Sequence, residues 1–410
     1  MPTRTRVISQ AKSVYISPTG IFVDANSGHI PDQLHRIDTF SFDVDLAGSR
    51  EDIREFGQLA RIGTISMREI NPTLSFGYYL GNGENEARLG FNLQGITGVA
   101  GGASSQFMSG ILTEDPIKKE KNIYVVVAKE GEDAFDAVTF SGNRTTHDVV
   151  GFGNVVLTNY TANFAVGEIP RADIEAEASN IVFYTGQSSG LKNPSINQTG
   201  GRADAGFFRL DAPSTGDMDV LVLRPDDVIV TFENDGISQG AGEKIGGTNF
   251  GDICLQSCSI EVPLSRGMIE CLGKERAVAK PLEFPIDVTV SMSSIVKNFQ
   301  KGALEYVLTG TAGDNTTDIR VKVLGDDDAV RHHFLLKRAS LDSQNFSQGL
   351  DDNETVELTF SAQIGGSSSI NNGLFYTGSF AGAAGFDLVD SISGAGKTFS
   401  GAVFSDANPM

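Results

Sequence analysis

The sequence lacks tryptophan altogether, has three cysteines in 410 residues, and contains no apolar run of 18 or more residues. A transmembrane helix needs about 20 consecutive, mostly apolar residues, so the sequence predicts none. The basic N-terminal segment MPTRTRVISQAK is not followed by an apolar stretch, and we therefore expect no secretory signal peptide. A hydrophobic content of 40% suffices for packed cores, and the length favours two or three domains.

Positive charge is scarce. The chain has 32 lysine and arginine residues against 52 aspartate and glutamate residues, which gives a formal net charge of −20. Proteins that bind nucleic acids usually present a basic surface, whereas an acidic surface repels a polyanion. The composition therefore argues against a protein that grips DNA or RNA.

The three cysteines, Cys254, Cys258 and Cys271, fall within 18 residues. Such a cluster could hold zinc, but it has no fourth ligand nearby. The small, odd number fits a cytosolic chain without a disulfide framework. We expect buried, small apolar side chains at these positions rather than a metal site.

No motif of an enzyme or cofactor-binding protein is complete. The segment SISGAGKT (391–398) departs from the phosphate-binding loop pattern at its first glycine, and too little chain follows for the helix that such a loop needs. The adjacent pair His332–His333 would point to opposite faces of a strand, which predicts a surface or edge position. The sequence thus predicts no catalytic residue, no cofactor and no metal, and we expect a protein that is not an enzyme.

A ten-residue motif occurs twice, as SREDIREFGQ (49–58) and as SRGMIECLGK (265–274). The serine resembles a helix N-cap, the two apolar positions lie three residues apart, and the glycine resembles a C-terminal stop. The motif therefore predicts a short helix in each copy, which must dock on a sheet because it is too short to be stable alone. The residues of the predicted docking helices are Ser49, Ile53, Phe56 and Gly57, and Ser265, Ile269, Leu272 and Gly273.

Similar alternating segments surround both copies of the motif in the same order. TFSFDVDLAG and SCSIEVPL precede it, and NPTLSFGYYL and FPIDVTVSMSSI follow it. An apolar residue at every second position is typical of a half-buried strand. A strand that runs into an acidic turn, a further apolar stretch and a long closing strand then follow in each copy. Aligned on the motif, the first copy has two extra residues, Ala47 and Gly48.

The ordered matches predict a duplicated, mainly β chain with two tandem β-sandwich or barrel domains, each carrying one short flanking α-helix. The 47 glycines, clustered between short β-branched and aromatic runs, fit this class. The copies differ mainly in a long polar, glycine-rich loop of the first copy, over residues 81–121, where we expect a functional role. The predicted boundaries are residues 1–184 for the first domain, 185–219 for a linker, 220–366 for the second domain and 367–410 for a C-terminal extension.

Both copies resemble the major tail tube proteins of tailed bacteriophages. The resemblance is carried by IDTFSFDVDL with SREDIREFGQLARI and NPTLSFGYYL, by LQSCSIEVPLSRGMIECLGKERAVAKPLEFPIDVTVSMSSI, and by VLTNYTANFAVGEIPRADIEAEASNI. It implies a small β-sandwich with a flanking helix, of which six form a ring, with rings stacked into a tube that conducts the genome. A two-domain chain would then be one third of a ring, so three chains would form a pseudo-hexameric ring.

The resemblance also implies partners and a location. We expect self-association, contacts with a sheath or baseplate hub and with a tail terminator, passage of DNA without specific binding, and no membrane insertion. The protein would lie in the virion tail after assembly in the cytoplasm of the bacterial host. An acidic lumen would let DNA slide, and the 81–121 loop would contact the next ring. The candidate lumen residues are Asp43, Asp45, Glu175, Glu177, Glu261 and Glu357.

Two alternatives remain open at this point. A baseplate hub or tail-completion ring can also use two tube-like domains, but forms discrete rings rather than tubes. A duplicated β-sandwich that binds carbohydrate or a cell surface is a third possibility, against which the absence of tryptophan argues because such sites usually expose aromatic side chains.

Overall fold

The structure is a computed structural model. It describes residues 7–19, 31–45, 50–66, 71–92, 106–112, 120–131, 134, 147–184, 191–196, 207–208, 210, 223–224, 228–233, 244–245, 248–249, 253–273, 277–296, 316–325, 330–347, 355–366, 369 and 372–378. Strands dominate these residues and pair antiparallel throughout, which confirms the prediction of a mainly β chain. Among the described residues, no helix is long and apolar enough to cross a membrane.

The first strand group lies before residue 185. It comprises β1 (Val7–Pro18), β2 (Asp32–Leu34), β3 (Ile37–Asp43), β4 (Arg50–Ile53), β5 (Gly63–Ser66), β6 (Thr73–Tyr79), β7 (Lys121–Lys129), β8 (Asp148–Ala165), β9 (Arg171–Glu177) and β10 (Asn180–Tyr184). Two short helices, α1 (Glu84–Leu89) and α2 (Ser109–Leu112), lie between β6 and β7.

The second strand group follows two short hairpin strands, β11 (Leu191–Lys192) and β12 (Phe207–Phe208). It comprises β13 (Val228–Glu233), β14 (Lys244–Ile245), β15 (Thr248–Asn249), β16 (Ile253–Pro263), β17 (Asp287–Val296), β18 (Thr316–Leu324), β19 (Val330–Ser347), β20 (Thr355–Gln363) and β21 (Gly373–Gly378).

The two strand groups pair in the same order. In the first, β3 pairs with β6, β6 with β9 and β9 with β8. In the second, β16 pairs with β17, β17 with β20 and β20 with β19. The long strand β8 also pairs with β7 and β10, as β19 pairs with β18 and β21. Finally, β7 pairs with β1 and β18 with β13. The long strands β8 and β19 thus occupy the same place in their groups.

The pairing registers show which residues correspond. Each long strand shifts register against its neighbour just after a leucine, Leu157 of β8 and Leu341 of β19. Leu157 leads across β9 and β6 to Phe42 of β3, and Leu341 leads across β20 and β17 to Ile260 of β16. Phe42 therefore corresponds to Ile260, which is the pair that the alignment on the repeated motif gives.

A direct junction joins the two strand groups. The C-terminal part of β8 pairs antiparallel with β16, from Asn159 opposite Pro263 to Ala165 opposite Ser257. The strands β3, β6, β9, β8, β16, β17, β20 and β19 therefore form one continuous sheet of eight strands. One hydrophobic cluster spans both groups and includes Ile174 of β9 and Phe360 of β20. The structure thus has a shared core beneath a shared sheet.

The predicted docking helices are wrong wherever the structure describes them. Residues 50–53 and 63–66 are the strands β4 and β5 of a hairpin, in which the amide of Ile62 donates to the carbonyl of Ile53 over 2.9 Å. In the second copy, the amide of Ile269 donates to Ala279 over 3.0 Å across a similar projection. Ser49 lies outside the described residues. The glycines that were interpreted as helix stops are instead turn residues with positive φ, 97° at Gly57 and 83° at Gly273.

Three further predictions change with the structure. Residues 191–196 of the predicted linker pack on the first strand group, where a Cβ at Gly153 would overlap the Pro194 carbonyl. Strand β21, from the predicted C-terminal extension, pairs with β19 as β10 pairs with β8, so this segment does have a counterpart in the first copy. The described parts of the 81–121 loop are largely buried, which does not fit the predicted contact with a further ring. Residues 93–105, 113–119 and 379–410, with the segment SISGAGKT, lie outside the described residues.

Candidate assembly surfaces

One face of the eight-strand sheet is polar, and we call it the polar face. Along these strands buried apolar residues alternate with more exposed polar ones, because successive side chains point to opposite sides of a sheet. A single row of cross-strand neighbours crosses the whole face. It consists of Thr39, Gly77, Asp173, Thr161, Glu261, Thr289, Ser361 and Ser340. Serine, threonine and acidic residues dominate this row, so the face is hydrophilic and bears negative charge.

Three of the six candidate lumen residues carry charge on this face without a basic cross-strand neighbour. Glu175 lies opposite Ser75 and Asn159. Glu261 lies opposite Thr161 and Thr289, and Glu357 lies opposite Ser293 and Asn345. All three are exposed. The structure therefore brings Glu175, Glu261 and Glu357 to one surface.

The other three candidates differ in their surroundings. Glu177 accepts a 2.9 Å hydrogen bond from the Nζ of Lys280, whose side chain is almost fully buried, so its charge is compensated. Asp43 is exposed at the end of β3, where its Oδ1 accepts from the amide of Val44 over 2.8 Å. Asp45 is exposed beyond the end of that strand. Five of the six residues thus lie on strands of the polar face, and Asp45 does not.

Arg171 compensates part of the negative charge on the first strand group's side of the polar face. The Nη2 of Arg171 lies 2.5 Å from Oδ1 of Asp173, and its Nη1 lies 3.2 Å from Oδ2 of Asp38. A Cβ at Gly77 would collide with both Arg171 and Asp173, so glycine leaves the space in which this ion pair forms. Among the exposed acidic residues of the polar face, Glu175, Glu261 and Glu357 thus keep their charge without a basic cross-strand neighbour.

A buried polar cluster lies under the sheet where the two strand groups meet. The carboxylate of Glu86, on α1, accepts hydrogen bonds from Tyr78 at 3.0 Å and Tyr160 at 3.5 Å. Burial raises the pKa of Glu86 to about 7, because an ionised carboxylate is costly in an apolar interior. Since Tyr78 and Tyr160 come from strands of the first group, this carboxylate fixes α1 onto that group.

A histidine ties the second strand group to the same region. The Nε2 of His332 donates to the carbonyl of Gly81 at 2.8 Å, and its Nδ1 is hydrogen-bonded to the hydroxyl of Tyr376. Burial lowers the pKa of His332 to about 4, so the imidazole is neutral at pH 7. Both His332 and His333 are buried, and the predicted surface position was wrong because β21 covers this part of β19.

Aromatic side chains complete the contact between the groups. The rings of Phe91 and Phe107 stack at 4.2 Å between centroids. Phe107, just before α2, also contacts Tyr160 of β8 together with Phe334 and Tyr376 of the second group. The described parts of the 81–121 loop therefore act as an internal wedge between the strand groups.

Two projections, which we call the arms, carry exposed apolar side chains. The first arm is the β4–β5 hairpin over residues 50–66, in which Phe56 and Leu59 are fully exposed. The second arm comprises residues 265–273 and 277–283 and carries Leu272, which is also fully exposed. A polar contact holds the base of the second arm. There the Nε of Arg266 donates to the carbonyl oxygen of Leu157 at 3.2 Å. Burial lowers the pKa of Arg266 to about 10. Both arms thus offer apolar tips to something outside the chain.

The cysteines divide between these environments. Cys258 lies buried in β16, as predicted, and burial raises the pKa of its thiol to about 12. Cys271 is exposed on the second arm, so the prediction of a buried position was wrong there. Cys254 lies in β16, but its side chain is outside the described residues. Within the described part of the chain, no group of three or more histidine, cysteine and acidic residues could hold a metal ion.

Together these features define a mainly β protein with one continuous polar sheet face and two apolar-tipped arms. No family model and no curated protein matches the chain. Among solved structures, a chain of the SPP1 tail tube is 12% identical with a TM-score of 0.27, over 38% of this chain and 79% of that chain. A chain of the anti-feeding prophage baseplate is 13% identical with a TM-score of 0.26, over 37% of this chain and 92% of that chain. A chain of the native gene transfer agent virion is 12% identical with a TM-score of 0.24, over 38% of this chain and 98% of that chain. At these TM-scores the overlaps establish neither a family nor a function.

Proposed function

We propose that the protein is a structural subunit of a bacteriophage tail and forms the tail tube. In this role it has no catalytic activity and needs no cofactor. The observation that carries the proposal is the eight-strand sheet, which both strand groups build in equal parts and which presents one polar, acidic face. The sequence resemblance to tail tube proteins supports the same role.

The repeated strand order supports a domain duplication in which each strand group is one tube domain. Three chains would then provide six similar domains, enough for a closed pseudo-hexameric ring. Ring closure removes open sheet edges, which in an isolated chain would favour uncontrolled pairing. We propose homotrimeric rings for this reason.

The polar face would line the lumen of such a ring. Duplex DNA carries one negative charge for about every 1.7 Å of its axis, so the carboxylates of Glu175, Glu261 and Glu357 would repel it and prevent adhesion. Serine and threonine neighbours would keep the wall hydrated. DNA would thus pass during ejection without specific binding.

The arms would connect successive rings. Their tips expose Phe56, Leu59 and Leu272, and large apolar side chains grouped on a surface mark contact sites with other proteins. We assign the contact between rings to the arms rather than to the described parts of the 81–121 loop, which are largely buried. Sheath or baseplate hub and terminator proteins would bind the assembled tube, in a virion tail assembled in the host cytoplasm.

Electron microscopy of the purified protein in negative stain tests the proposal. Long tubes with a central channel are the expected result. Discrete rings that never extend would instead favour the baseplate hub or tail-completion ring. Monomers that form neither rings nor tubes over a range of concentrations would overturn a role in the tail shaft.

A further inference from the structure

Two strand edges at opposite ends of the eight-strand sheet have no partner strand among the described residues. Strand β3 pairs with β6 along one edge, and no described strand pairs with its other edge. Residues 341–347 of β19 pair with β20 along one edge, and again no described strand pairs with the other. These two edges terminate the sheet.

The corresponding edges in the middle of the sheet are paired with each other. By the pairing registers, β3 corresponds to β16, and residues 343–347 of β19 correspond to residues 159–163 of β8. The junction between the two strand groups is the pairing of β8 with β16. The chain therefore contains one completed example of the contact that its two open edges could make.

The open edges expose the apolar side chains that the internal junction buries. Ile260 on β16 is 1% exposed, whereas its counterpart Phe42 on β3 is 42% exposed. Ala162 on β8 is 0% exposed, whereas its counterpart Phe346 on β19 is 50% exposed. Large apolar side chains gain free energy when they leave water, so both edges favour the same kind of partner.

A polar side chain on β19 supports the same conclusion. The Nε2 of Gln344 is buried and has no hydrogen-bond partner among the described residues. Its counterpart on β8 is Tyr160, which is buried at the internal junction and whose hydroxyl donates to Glu86. A buried amide without a partner costs free energy, and an incoming strand would bring backbone carbonyl groups that can accept from it.

We propose that β3 of one chain pairs antiparallel with residues 343–347 of β19 in a second copy of this chain. The internal register predicts that Ser41 lies opposite Ser347 of the partner, Phe42 opposite Phe346, and Asp43 opposite Asn345. Because the two edges differ, the contact runs head to tail and repeats until the ring closes. The inference rests on the proposed tube function and names the surface through which its rings form.

Cysteine crosslinking tests the register directly. In a background with Cys254→Ser and Cys271→Ser, the variant with Asp43→Cys and Asn345→Cys should form covalent oligomers on mild oxidation, ending at the number of chains in one ring. The pair Thr161→Cys and Glu261→Cys occupies the corresponding positions of the internal junction, so it should oxidise within one chain and give no oligomer. Thr39→Cys with Asn345→Cys, displaced by four residues, should not crosslink.

A second measurement isolates the apolar contribution. Phe346→Ser should weaken association of chains at least tenfold, as measured by analytical ultracentrifugation. Phe183→Ser, which changes an exposed phenylalanine on β10, should leave association unchanged. Rings that form normally in both variants, without crosslinks between positions 43 and 345, would overturn the pairing and leave the tube function standing. Absence of any ring in the unmodified protein would overturn both.

Discussion

The carboxylate of Glu86 accepts a 3.0 Å hydrogen bond from the hydroxyl of Tyr78, and both side chains are buried. The carboxylate also lies within 3.5 Å of the Tyr160 hydroxyl on β8, the strand that joins the two strand groups. The contact of α1 with these strands therefore contains an ionisable group, and its protonation links the stability of the chain to pH.

Replacing Glu86 by glutamine should remove a pH dependence of stability. The pKa of Glu86 is about 7 in the folded chain against an ordinary 4.5, so the folded state holds this proton more strongly than the unfolded state. The stabilisation is complete below about pH 4.5 and is lost as the pH rises through 7. At about 1.4 kcal/mol per pKa unit it amounts to on the order of 3 kcal/mol. Thermal unfolding between pH 5 and 8 should show that E86Q loses less stability with rising pH than the unmodified protein. An equal pH dependence of stability in both proteins would contradict the raised pKa of Glu86.

Lys280→Met should destabilise the base of the second arm. The ammonium group lies 2.9 Å from Glu177 and 3.2 Å from the side-chain oxygen of Asn71, and removing it leaves the Glu177 charge half-buried without compensation. We expect a loss of about 1–3 kcal/mol in the free energy of unfolding, discounted from the full cost of a broken buried ion pair because Glu177 is partly exposed. Glu177→Gln in the same chain should restore part of the loss. Strictly additive effects in the double-mutant cycle would show that the two groups are not coupled.

Leu272→Asp should separate folding from stacking. A helix docked through Leu272 would require this change to block folding, but the structure places the side chain fully in solvent. The unfolding free energy should therefore change by no more than about 0.5 kcal/mol, while tubes should shorten to single rings. Phe56→Asp on the first arm should act similarly. Glu55→Ser, a polar change on the same arm, serves as the control, and normal tubes in the Leu272 variant would exclude the arm as an axial contact.

Charge reversal on the polar face should make the tube retain DNA. Glu175→Lys with Glu261→Lys replaces two exposed carboxylates by ammonium groups, so short duplex DNA should bind assembled tubes at low salt and dissociate as salt rises. Fluorescence anisotropy of labelled duplex measures this. Glu51→Lys with Glu55→Lys makes the same change in net charge on the first arm. Equal DNA binding by both double variants would contradict a lumen position for the polar face.

The sequence was sufficient to predict the strands, but not the structure of the motif that is repeated between them. At residues 73–79 and 355–363 apolar and polar residues alternate along the sequence, a pattern that can be seen without knowing any distant contact. Both segments are strands. The motif SREDIREFGQ has a cap-like serine and a glycine stop, which fit a helix and a hairpin turn equally well. The deciding contact, between Ile53 and Ile62, is local to the hairpin but leaves no periodic pattern.

The elements that join the strand groups could not be predicted because they depend on distant partners. The short helix α1 buries Glu84 and Glu86, residues that a sequence pattern assigns to the surface. Glu84 is compensated by Arg88 at 2.5 Å and Glu86 by tyrosine hydroxyls from other strands. The β8–β16 junction likewise joins residues about a hundred positions apart. Acidic residues next to aromatic strands were the only available signal, and that signal is not specific.

End-on cryo-electron microscopy of the purified assembly tests the central claim most directly. We expect a closed ring of three chains with six similar sectors, in which junctions of the β8–β16 type alternate with junctions between β3 and β19 of neighbouring chains. A ring of six chains, or a closed ring in which β3 and the end of β19 remain unpaired, would contradict it.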